Sequence, residues 1–380
     1  MTHAAITSSR KSRTLTAAEI EAFGAEVDAL KQKHLADLGE KDATYIRKIE
    51  KAVRYTEIAG RGLLMAGIFP PAFVAGAALL GASKILDNME LGHNVMHGQY
   101  DFMQDPRFSG QTFEWDTWCT ADNWRYSHNY MHHTYTNVLG KDHDIGYGVL
   151  RIFPEQKWGP RFLANPLMAT TLAVFFENLL ALQTLETEKV LAGEKTWKEW
   201  FKQGKATFRK AGRQMAKDYV VFPLLAGPFF LPVLAGNFVA NIMRNLWTFT
   251  IIFCGHFTEE SEVFALETLE NETRGQWYLR QMRGSANLTG GKLFHIMSGN
   301  LSHQIEHHLF PEVPAWRYAA MSEEMQVIAA KYGQYYNKAP LWRQFGTVVG
   351  RILRHSLPSK PKHQPMVLAR AEPAELAQAA

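Results

Sequence analysis

The chain has 380 residues, of which 46% are hydrophobic, and carries a formal net charge of +4. Its two cysteines are too few for a disulfide framework, a zinc ribbon or an iron–sulfur cluster, which excludes those centres. The mild positive charge suits a cytoplasmic membrane face or an acidic protein partner, and no basic-aromatic module for nucleic acid is present.

The N-terminal region, residues 1–50, is predicted to be a cytosolic arm followed by an amphipathic helix. Residues 1–14 are basic and are expected to be disordered. A capping box at Thr16 and Glu19 then begins a helix whose apolar residues recur at helical spacing. A second cap, at Asp42, is predicted to begin another helix that leads into the first long apolar stretch.

Two nearly uncharged stretches, 59–69 and 72–85, are separated by Pro70-Pro71. Because proline breaks a helix, the pattern predicts a helical hairpin with spans at about 52–69 and 72–92. The second helix, continued to Gly98, would be roughly 40 Å long at about 1.5 Å per residue. The hydrocarbon core is only ~30 Å thick, so the last turns of that helix should emerge into the cytoplasm.

A second hairpin is predicted with spans at 219–235 and 238–257 and its turn near Gly236-Asn237. Six Lys or Arg residues in 201–217 place the preceding segment in the cytoplasm. A third apolar run, 166–182, is barely long enough to span. Histidine clusters lie on both sides of this run, at 128–133 and 303–308, and must meet on one side of the membrane. An even number of crossings must therefore separate them, and the second hairpin already supplies two. We accordingly predict an interfacial or buried helix at 166–182.

These hairpins belong to a predicted membrane domain at 51–320. Residues 321–380 are expected to form a cytosolic C-terminal helix and a tail that is disordered from Ser359 onward.

Histidines are concentrated in three short clusters that follow the predicted hairpins. The clusters occupy 93–97, 128–133 and 303–308. Their members are His93, His97, His128, His132, His133, His303, His307 and His308. An i,i+4 pair places two imidazoles on one face of a helix, so this repeated spacing predicts metal ligation rather than unrelated surface histidines.

Imidazole suits zinc, copper, iron and nickel. A zinc ion needs only three or four ligands, so eight imidazoles are too many for one ion and fit two. Two ions with open coordination positions at a membrane boundary suggest oxidation of a lipid-like chain. An unactivated methylene cannot be attacked by acid–base chemistry alone, which calls for iron and dioxygen.

The clusters resemble the three histidine boxes of membrane fatty-acid desaturases, including the run His-Gln-Ile-Glu-His-His-Leu-Phe-Pro at 303–311. The likeness covers roughly 59–314 and is nearest to bacterial acyl-CoA Δ9-desaturases. It implies an all-α integral membrane fold with four transmembrane helices in two hairpins. Above them, a cytosolic helical cap would hold a di-iron site.

The resemblance also implies a ninth ligand, His256, at the end of the fourth span. Animal stearoyl-CoA desaturases carry an asparagine one turn earlier that holds a metal-bound water, whereas this chain has Ile252 there. In the third box the family's ligand position reads Gln304. Because His303 and His307 share a face at i,i+4, we predict His303 as the ligand and a supporting role for Gln304.

Three further residues are predicted to meet the substrate. Trp124 and Thr248 match family positions at the bend of the acyl tunnel, and Arg125 could pair with a phosphate of coenzyme A. Ordinary structural roles stay open for all three. His143 is predicted to be a surface or supporting residue, and His295 is considered as a further ligand.

The resemblance implies an oxidoreductase that uses two iron ions and O2 as co-substrate to insert a cis double bond into a saturated acyl chain. The expected substrate is a fatty acyl-CoA, desaturated at Δ9, with an acyl-lipid as the alternative. A separate reductase or ferredoxin must supply electrons, because the chain contains no haem, flavin or nicotinamide motif. The expected location is a bacterial inner membrane, with both termini and the active site in the cytoplasm.

Two other functions stay open at this point. The same boxes could serve a hydroxylase or alkane oxygenase, and a non-catalytic protein could bind zinc with them.

Overall fold

The computed structural model describes residues 12–359, which are mostly helical. The α-helices are α1 (Ala17–Ala36), α2 (Glu40–Met65), α3 (Pro70–Ile85), α4 (Asn94–Met96), α5 (Ala121–Trp124), α6 (His133–Tyr135), α7 (Asn165–Val174), α8 (Phe176–Gln183), α9 (Thr187–Leu191), α10 (Trp197–Ala216), α11 (Phe222–Leu225), α12 (Phe230–His256), α13 (Arg274–Arg283), α14 (Lys292–Met297), α15 (Gln304–Leu309), α16 (Tyr318–Lys331) and α17 (Leu341–Ser356). The predicted disordered arm and tail lie almost wholly outside the described residues.

Shorter elements connect these helices. Turns of π-helix occupy Leu86–His93, Arg125–His132 and Lys217–Val221. Turns of 3-10 helix occupy Asp101–Met103, Pro106–Phe108, Ile145–Gly148, Pro160–Ala164, Gly227–Phe229, Leu266–Leu269 and Ala315–Arg317. Strands β1 (Asn287–Thr289) and β2 (Lys338–Pro340) pair in parallel as one two-stranded sheet.

The predicted capping box of α1 is confirmed. Thr16 accepts a hydrogen bond from the Glu19 backbone, and the Glu19 carboxylate accepts one from the Thr16 backbone. The apolar face of α1 is buried against α13 and α16, so this helix lies on the rest of the protein. The cap of α2 is Gly39 and not Asp42 as predicted, because Asp42 is the third helical residue and accepts from the Gly39 N–H.

The first hairpin has the predicted turn. Helix α2 ends at Met65, and Pro70 and Pro71 occupy the first two positions of α3, where a missing N–H removes no helical hydrogen bond. The two helices are close enough for their backbones to touch. A Cβ added to Gly60 would lie 2.7 Å from the Leu80 nitrogen, so only glycine fits this contact.

The second hairpin turns at a different place from the predicted one. Helix α12 runs from Phe230 to His256 through Gly236 and Asn237, so the predicted turn there and the spans 219–235 and 238–257 are wrong in their boundaries. The chain turns instead at Gly227, whose φ is +55°. Gly236 faces Leu64 and Asn237 accepts from Arg61, so these two residues serve helix packing rather than a turn.

One helical segment within residues 12–359, Gly227–His256, is long and apolar enough on length and composition to cross a bilayer. The segments Pro160–Val174 and Phe176–Gln183 would meet the same test together, but they meet at an angle of 100°. The run 166–182 is therefore not one straight helix. The arrangement with four spans stays a prediction.

Candidate metal centre

Four parts of the fold bring eight of the nine predicted ligands together. They are the π-helical turn and α4 that follow α3, the π-helical turn Arg125–His132 with α6, the last residue of α12, and α15. The ligands are His93, His97, His128, His132, His133, His256, His307 and His308, all buried except His97, which is partly buried. Residues far apart in the chain thus line a single interior space.

Seven of the eight imidazoles form two adjacent groups. His93, His97, His128 and His307 form one group, and His132, His256 and His308 form the other. In each group the ring nitrogens lie within 4.8 Å of one another. His133 lies between the groups, because it also forms a set with His307 and His308.

The distances between ring nitrogens fit shared metal ions. Nε2 of His93 lies 3.1 Å from Nε2 of His128, and Nε2 of His256 lies 3.1 Å from that of His308. Two nitrogens that each lie about 2.1 Å from one ion are roughly 3.0 Å apart when the angle at the ion is a right angle. They are roughly 3.4 Å apart when that angle is tetrahedral. His97 Nε2 is buried and has no hydrogen-bond partner among the described residues. Such a nitrogen-rich donor set suits a transition metal.

Burial sets the protonation of these rings. Desolvation, followed by the neighbouring imidazoles, lowers the pKa of His97, His128 and His307 well below the usual range. Desolvation also lowers the pKa of His93 to about 4. These histidines are therefore neutral at physiological pH, which is the form that binds a metal ion.

Two buried carboxylates, Asp142 and Asp144, support the second group and were not predicted from the sequence. Nδ1 of His132 lies 3.1 Å from both carboxylate oxygens of Asp142, and Asp144 lies 3.7 Å from the same nitrogen. Burial lowers the pKa of His132, but the two carboxylates outweigh it and raise that pKa to about 8. A carboxylate on the second ring nitrogen fixes the orientation of a metal-binding histidine and raises its basicity.

The sequence Lys-Asp-His-Asp at 141–144, directly after the second cluster, was the available signal for these carboxylates. Its histidine, His143, is exposed and lies 3.5 Å from Glu188, away from the metal centre. The surface role predicted for His143 agrees with this position.

Other polar side chains orient further ligands. Nδ1 of His308 lies 3.1 Å from both Thr136 Oγ1 and Gln281 Oε1. Nδ1 of His93 lies 3.2 Å from Asn94 Oδ1. These contacts leave the Nε2 atoms of both rings directed toward their neighbours in the cluster.

The structure does not bring His303 to the other ligands. It is the N-cap of α15, with φ −106° and ψ 56°, so it lies outside the helix and does not share a helical face with His307. Its ring stacks on His295, with 4.6 Å between centroids, and His295 itself contacts Ser302 and Gly290. Gln304, the first residue of α15, has its amide nitrogen 2.8 Å from His256 Nε2.

The three predicted substrate residues have separate surroundings. Trp124 stacks on His128 at 4.2 Å between centroids and packs against Trp115. Thr248 and Trp115 line a small cavity of about 20 Å³. Arg125 donates to Asp122 and to the carbonyls of Gly110 and Phe113, so its nitrogens hold a neighbouring loop.

Residues 69–340, which include all eight clustered histidines, match the family model described as fatty acid desaturase. The chain belongs to the fatty acid desaturase family. The chain is 43% identical over 350 residues to a Mycobacterium tuberculosis protein named NADPH-dependent stearoyl-CoA 9-desaturase, covering 91% of this chain and 82% of the relative. It is 25% identical to the sn-1 linoleoyl-lipid 6-desaturase of Synechocystis, covering 74% of this chain and 79% of that desaturase.

Proposed function

We propose that this desaturase inserts a cis double bond at Δ9 of a saturated fatty acyl-CoA, with O2 as co-substrate. The observation that carries the proposal is the convergence of eight histidines inside the segment that matches the family. The name of the 43% identical relative supports stearoyl-CoA as the substrate and Δ9 as the position.

The two histidine groups would hold two iron ions, which supply the oxidising power for cleaving unactivated C–H bonds with O2. His93, His97, His128 and His307 would serve one ion, and His132, His256 and His308 the other, with His133 at the boundary. The amide of Gln304 is proposed to take the supporting position beside His256 where animal enzymes use an asparagine. His303, predicted as a ligand, is left out of this set because of its position.

The surrounding side chains orient and enclose the site. Asp142 holds the His132 ring in place, and Trp124 covers the His128 ring on the side where we propose that the acyl chain bends. Thr248 is proposed to border the same bend. The apolar packing around Trp124 would exclude water from the oxidised carbons.

The overall reaction needs electrons from outside the chain. A saturated chain, O2, two electrons and two protons give the alkene and two water molecules. We propose a separate NADPH-linked reductase or ferredoxin as the source, in line with the name of the Mycobacterium relative.

We propose a membrane domain at 51–320 with four spans in a bacterial inner membrane, and with both termini and the metal centre in the cytoplasm. The first hairpin would be α2 and α3. The second would consist of α12 and the continuous helical stretch before it, which runs from the last turns of α10 to Leu225. Large apolar side chains exposed on these helices support the proposal, namely Ile58, Phe69, Val74, Leu224, Leu225, Leu231 and Phe238.

Product analysis tests the function. The chain is expressed with a compatible reductase in a host that lacks its own desaturase, and the fatty acids are separated and identified by mass spectrometry. A Δ9 monoene is expected, and it should disappear in His132→Ala. A hydroxylated product, or purified protein with zinc and no iron, would contradict the proposal.

A further inference from the structure

Helix α17, the last helix that the structure describes, exposes large apolar side chains along one face. They are Trp342, Phe345, Val349 and Leu353, followed by Leu357 directly after the helix. Steps of three or four residues return a side chain to the same side of a helix. Trp342 is 76% exposed and Leu353 51% exposed, so the described residues leave this face uncovered. We call these five residues the apolar stripe.

The opposite face of α17 is bound to the cytoplasmic end of α12. The Glu259 backbone N–H donates to Thr347 Oγ1 over 3.3 Å, and Arg351 donates to the Glu259 carbonyl over 3.2 Å. Glu259 lies three residues beyond His256, where α12 ends. Val348 packs into the apolar core that contains the last turns of α12. The position of α17 is therefore fixed relative to the proposed span.

That attachment places α17 near the level of the lipid headgroups. The roughly 20 residues that a span needs, counted from the first residue of α12, end near Phe249. Leu246 is the last exposed large apolar side chain of this helix, which agrees with that count. At about 1.5 Å per residue, His256 then lies roughly 10 Å beyond Phe249 along the helix. Helix α17 packs beside these emerging turns.

The segment beside α17 also exposes leucines. Asn165 donates a hydrogen bond to the Ile352 carbonyl over 3.4 Å, which joins the segment Pro160–Val174 to α17. In this segment Leu163 and Leu167 are exposed, and the sequence predicted an interfacial helix here. Two adjoining elements thus present large apolar side chains to the exterior. Extended exposure of this kind marks an interaction surface, unlike scattered single residues.

The composition of the apolar stripe fits lipid acyl chains better than a protein surface. Only Trp342 among its side chains can form a hydrogen bond, whereas protein interfaces carry about one hydrogen bond per 100–200 Å². Sixteen helical residues present a face of roughly 24 Å by 10 Å, or about 240 Å². A standard interface buries about 800 Å² on each partner, so this face is too small for a stable dimer by itself.

The sequence beyond Ser359 offers little to cover the stripe. Residues 360–380 contain one run of large apolar side chains, Met366-Val367-Leu368. Three extended residues reach about 10 Å at roughly 3.3 Å each. Trp342 and Leu353 are separated by roughly 16 Å along α17. This tail is therefore a poor match for the length of the stripe.

Arginines stand along one edge of the stripe. Arg343 and Arg354 are separated by about three helical turns, so they lie on the same side of α17. Arg343 is exposed and forms no ion pair with a carboxylate of residues 12–359, whereas Arg354 lies 2.7 Å from Glu259. An arginine beside an apolar helix face can reach lipid phosphates while its neighbours enter the acyl region. Tryptophan is enriched at this boundary, which suits Trp342.

The two-stranded sheet connects α17 with the third histidine cluster. Strand β2 directly precedes α17 and pairs with β1. Asn287 of β1 donates to the Glu306 carboxylate over 2.7 Å and accepts from the Ile305 backbone over 2.9 Å. Glu306 directly precedes His307. A force on α17 would therefore reach the segment that carries His307 and His308.

We propose that the apolar stripe lies at the boundary between headgroups and acyl chains of the cytoplasmic leaflet. Helix α17 would then anchor the segment with His307 and His308 to the bilayer and hold the metal centre at a set height above the acyl chains. The occupant of the stripe is the lipid bilayer. This inference rests on the proposed arrangement with four spans.

Quenching by lipids in nanodiscs that hold one chain each tests the position of α17. An environment-sensitive fluorophore is attached to Val349→Cys in the full-length, iron-loaded protein, where Cys119 and Cys254 are buried. Lipids with a nitroxide near the headgroup end of the acyl chain should quench this label, and its emission should shift to the blue. A disc with one chain excludes a second copy as the cause.

Two further labels provide the controls. Val327→Cys is the matched control, because Val327 is an exposed valine of α16 with Glu323 and Lys331 one turn away on either side. It should show neither quenching nor a blue shift. Phe238→Cys, at an exposed position of α12, should be quenched if α12 spans the bilayer.

The variant Phe345→Glu/Leu353→Glu tests the anchoring. Because charges are costly in the acyl region, the label at Val349→Cys should lose its quenching. Backbone hydrogen exchange should become faster in α17 and also in Asn287–Thr289, which Val327→Glu should leave unchanged. If the double variant loses its iron, the single variant Leu353→Glu decides with the same readouts.

Several results would overturn the proposal. Quenching at Phe238 without quenching at Val349, or equal quenching at Val349 and Val327, would remove α17 from the lipid. A blue shift only in discs with two chains would assign the stripe to a second copy, and quenching only after truncation at Ser359 would assign it to the tail. Unchanged exchange in Asn287–Thr289 would refute the anchoring. A label at Phe238 that lipids do not quench would instead contradict the arrangement with four spans.

Discussion

At the scale of single residues, the metal centre depends on groups that hold the ligands in position. Asp142 also accepts hydrogen bonds from the backbones of Asn137 and Asp144, so its carboxylate is fixed before it meets His132. A fixed carboxylate limits the rotation of the ring and keeps Nε2 directed toward His256.

Replacement of Asp142 by asparagine should weaken metal binding while the fold persists. Asparagine keeps the size of the side chain but removes the charge that makes His132 basic, and such changes cost about 10–100-fold in metal affinity or activity. Iron per chain and turnover measure the effect. His143→Gln, which alters an exposed side chain beside Glu188, is the matched control. Equal iron content and turnover in both variants would refute the supporting role of Asp142.

His303 and Gln304 can be separated in the same way. His303→Ala should retain two irons per chain, because the His303 ring stacks on His295 outside the two groups. Gln304→Ala should change the spectrum of the bound iron, because it removes the amide next to His256. Loss of one iron in a folded His303→Ala protein would restore His303 as a ligand.

The residues of the site differ in how far the sequence could predict them. Seven of the eight histidines of the metal centre come from the three sequence clusters, whose i,i+4 spacings rarely arise by chance three times in one chain, whereas His256 was predicted only from the resemblance to the family. The choice between His303 and Gln304 depended on where α15 begins, because a shift of that start by one residue turns a side chain by about 100° around the helix. Asp142 and Gln281 belong to no periodic pattern, since only the tertiary fold brings them to their histidines.

At the scale of elements, the hairpins show which turn signals are dependable. Pro70-Pro71 ends one helix and begins the next because proline lacks the donor that a helix interior needs. Gly236-Asn237 has the composition of a turn but lies inside α12, where glycine lets Leu64 approach and asparagine binds Arg61. Composition alone could not distinguish a turn from a tight contact between helices.

Two glycines of α2 provide a matched pair for testing the first hairpin. A Cβ at Gly60 would lie 2.7 Å from the Leu80 backbone, whereas a Cβ at Gly62 would meet nothing within 4 Å. Gly60→Ala should therefore destabilise the protein by about 1–3 kcal/mol. Gly62→Ala should stabilise it by up to about 1 kcal/mol through helix propensity. Thermal unfolding in detergent compares them, and equal melting temperatures would contradict the close packing of α2 and α3.

At the scale of the whole molecule, the proposed topology places the hairpin turns on one side of the membrane and the metal centre on the other. The described residues include two cysteines, Cys119 and Cys254, and both are buried. An introduced cysteine can therefore be labelled selectively in the intact protein.

Labelling from the two sides of the membrane tests this topology. Phe69→Cys, at the exposed turn between α2 and α3, should react with an impermeant maleimide added outside spheroplasts. Lys205→Cys, on α10, should react only after the membrane is opened. The reverse pattern, or labelling of both from one side, would contradict four spans with a cytoplasmic site.

The metal ligands come from segments that the ribosome completes at very different times. Residues 93–97 are synthesised early, whereas His307 and His308 follow only after both proposed hairpins have been made. Until α15 joins the others, the buried imidazoles have no complete set of partners, so the proposed metal ions would be inserted late in biogenesis. Because metal binding to such a site contributes directly to folding free energy, the cell's iron supply would limit how much of this protein matures.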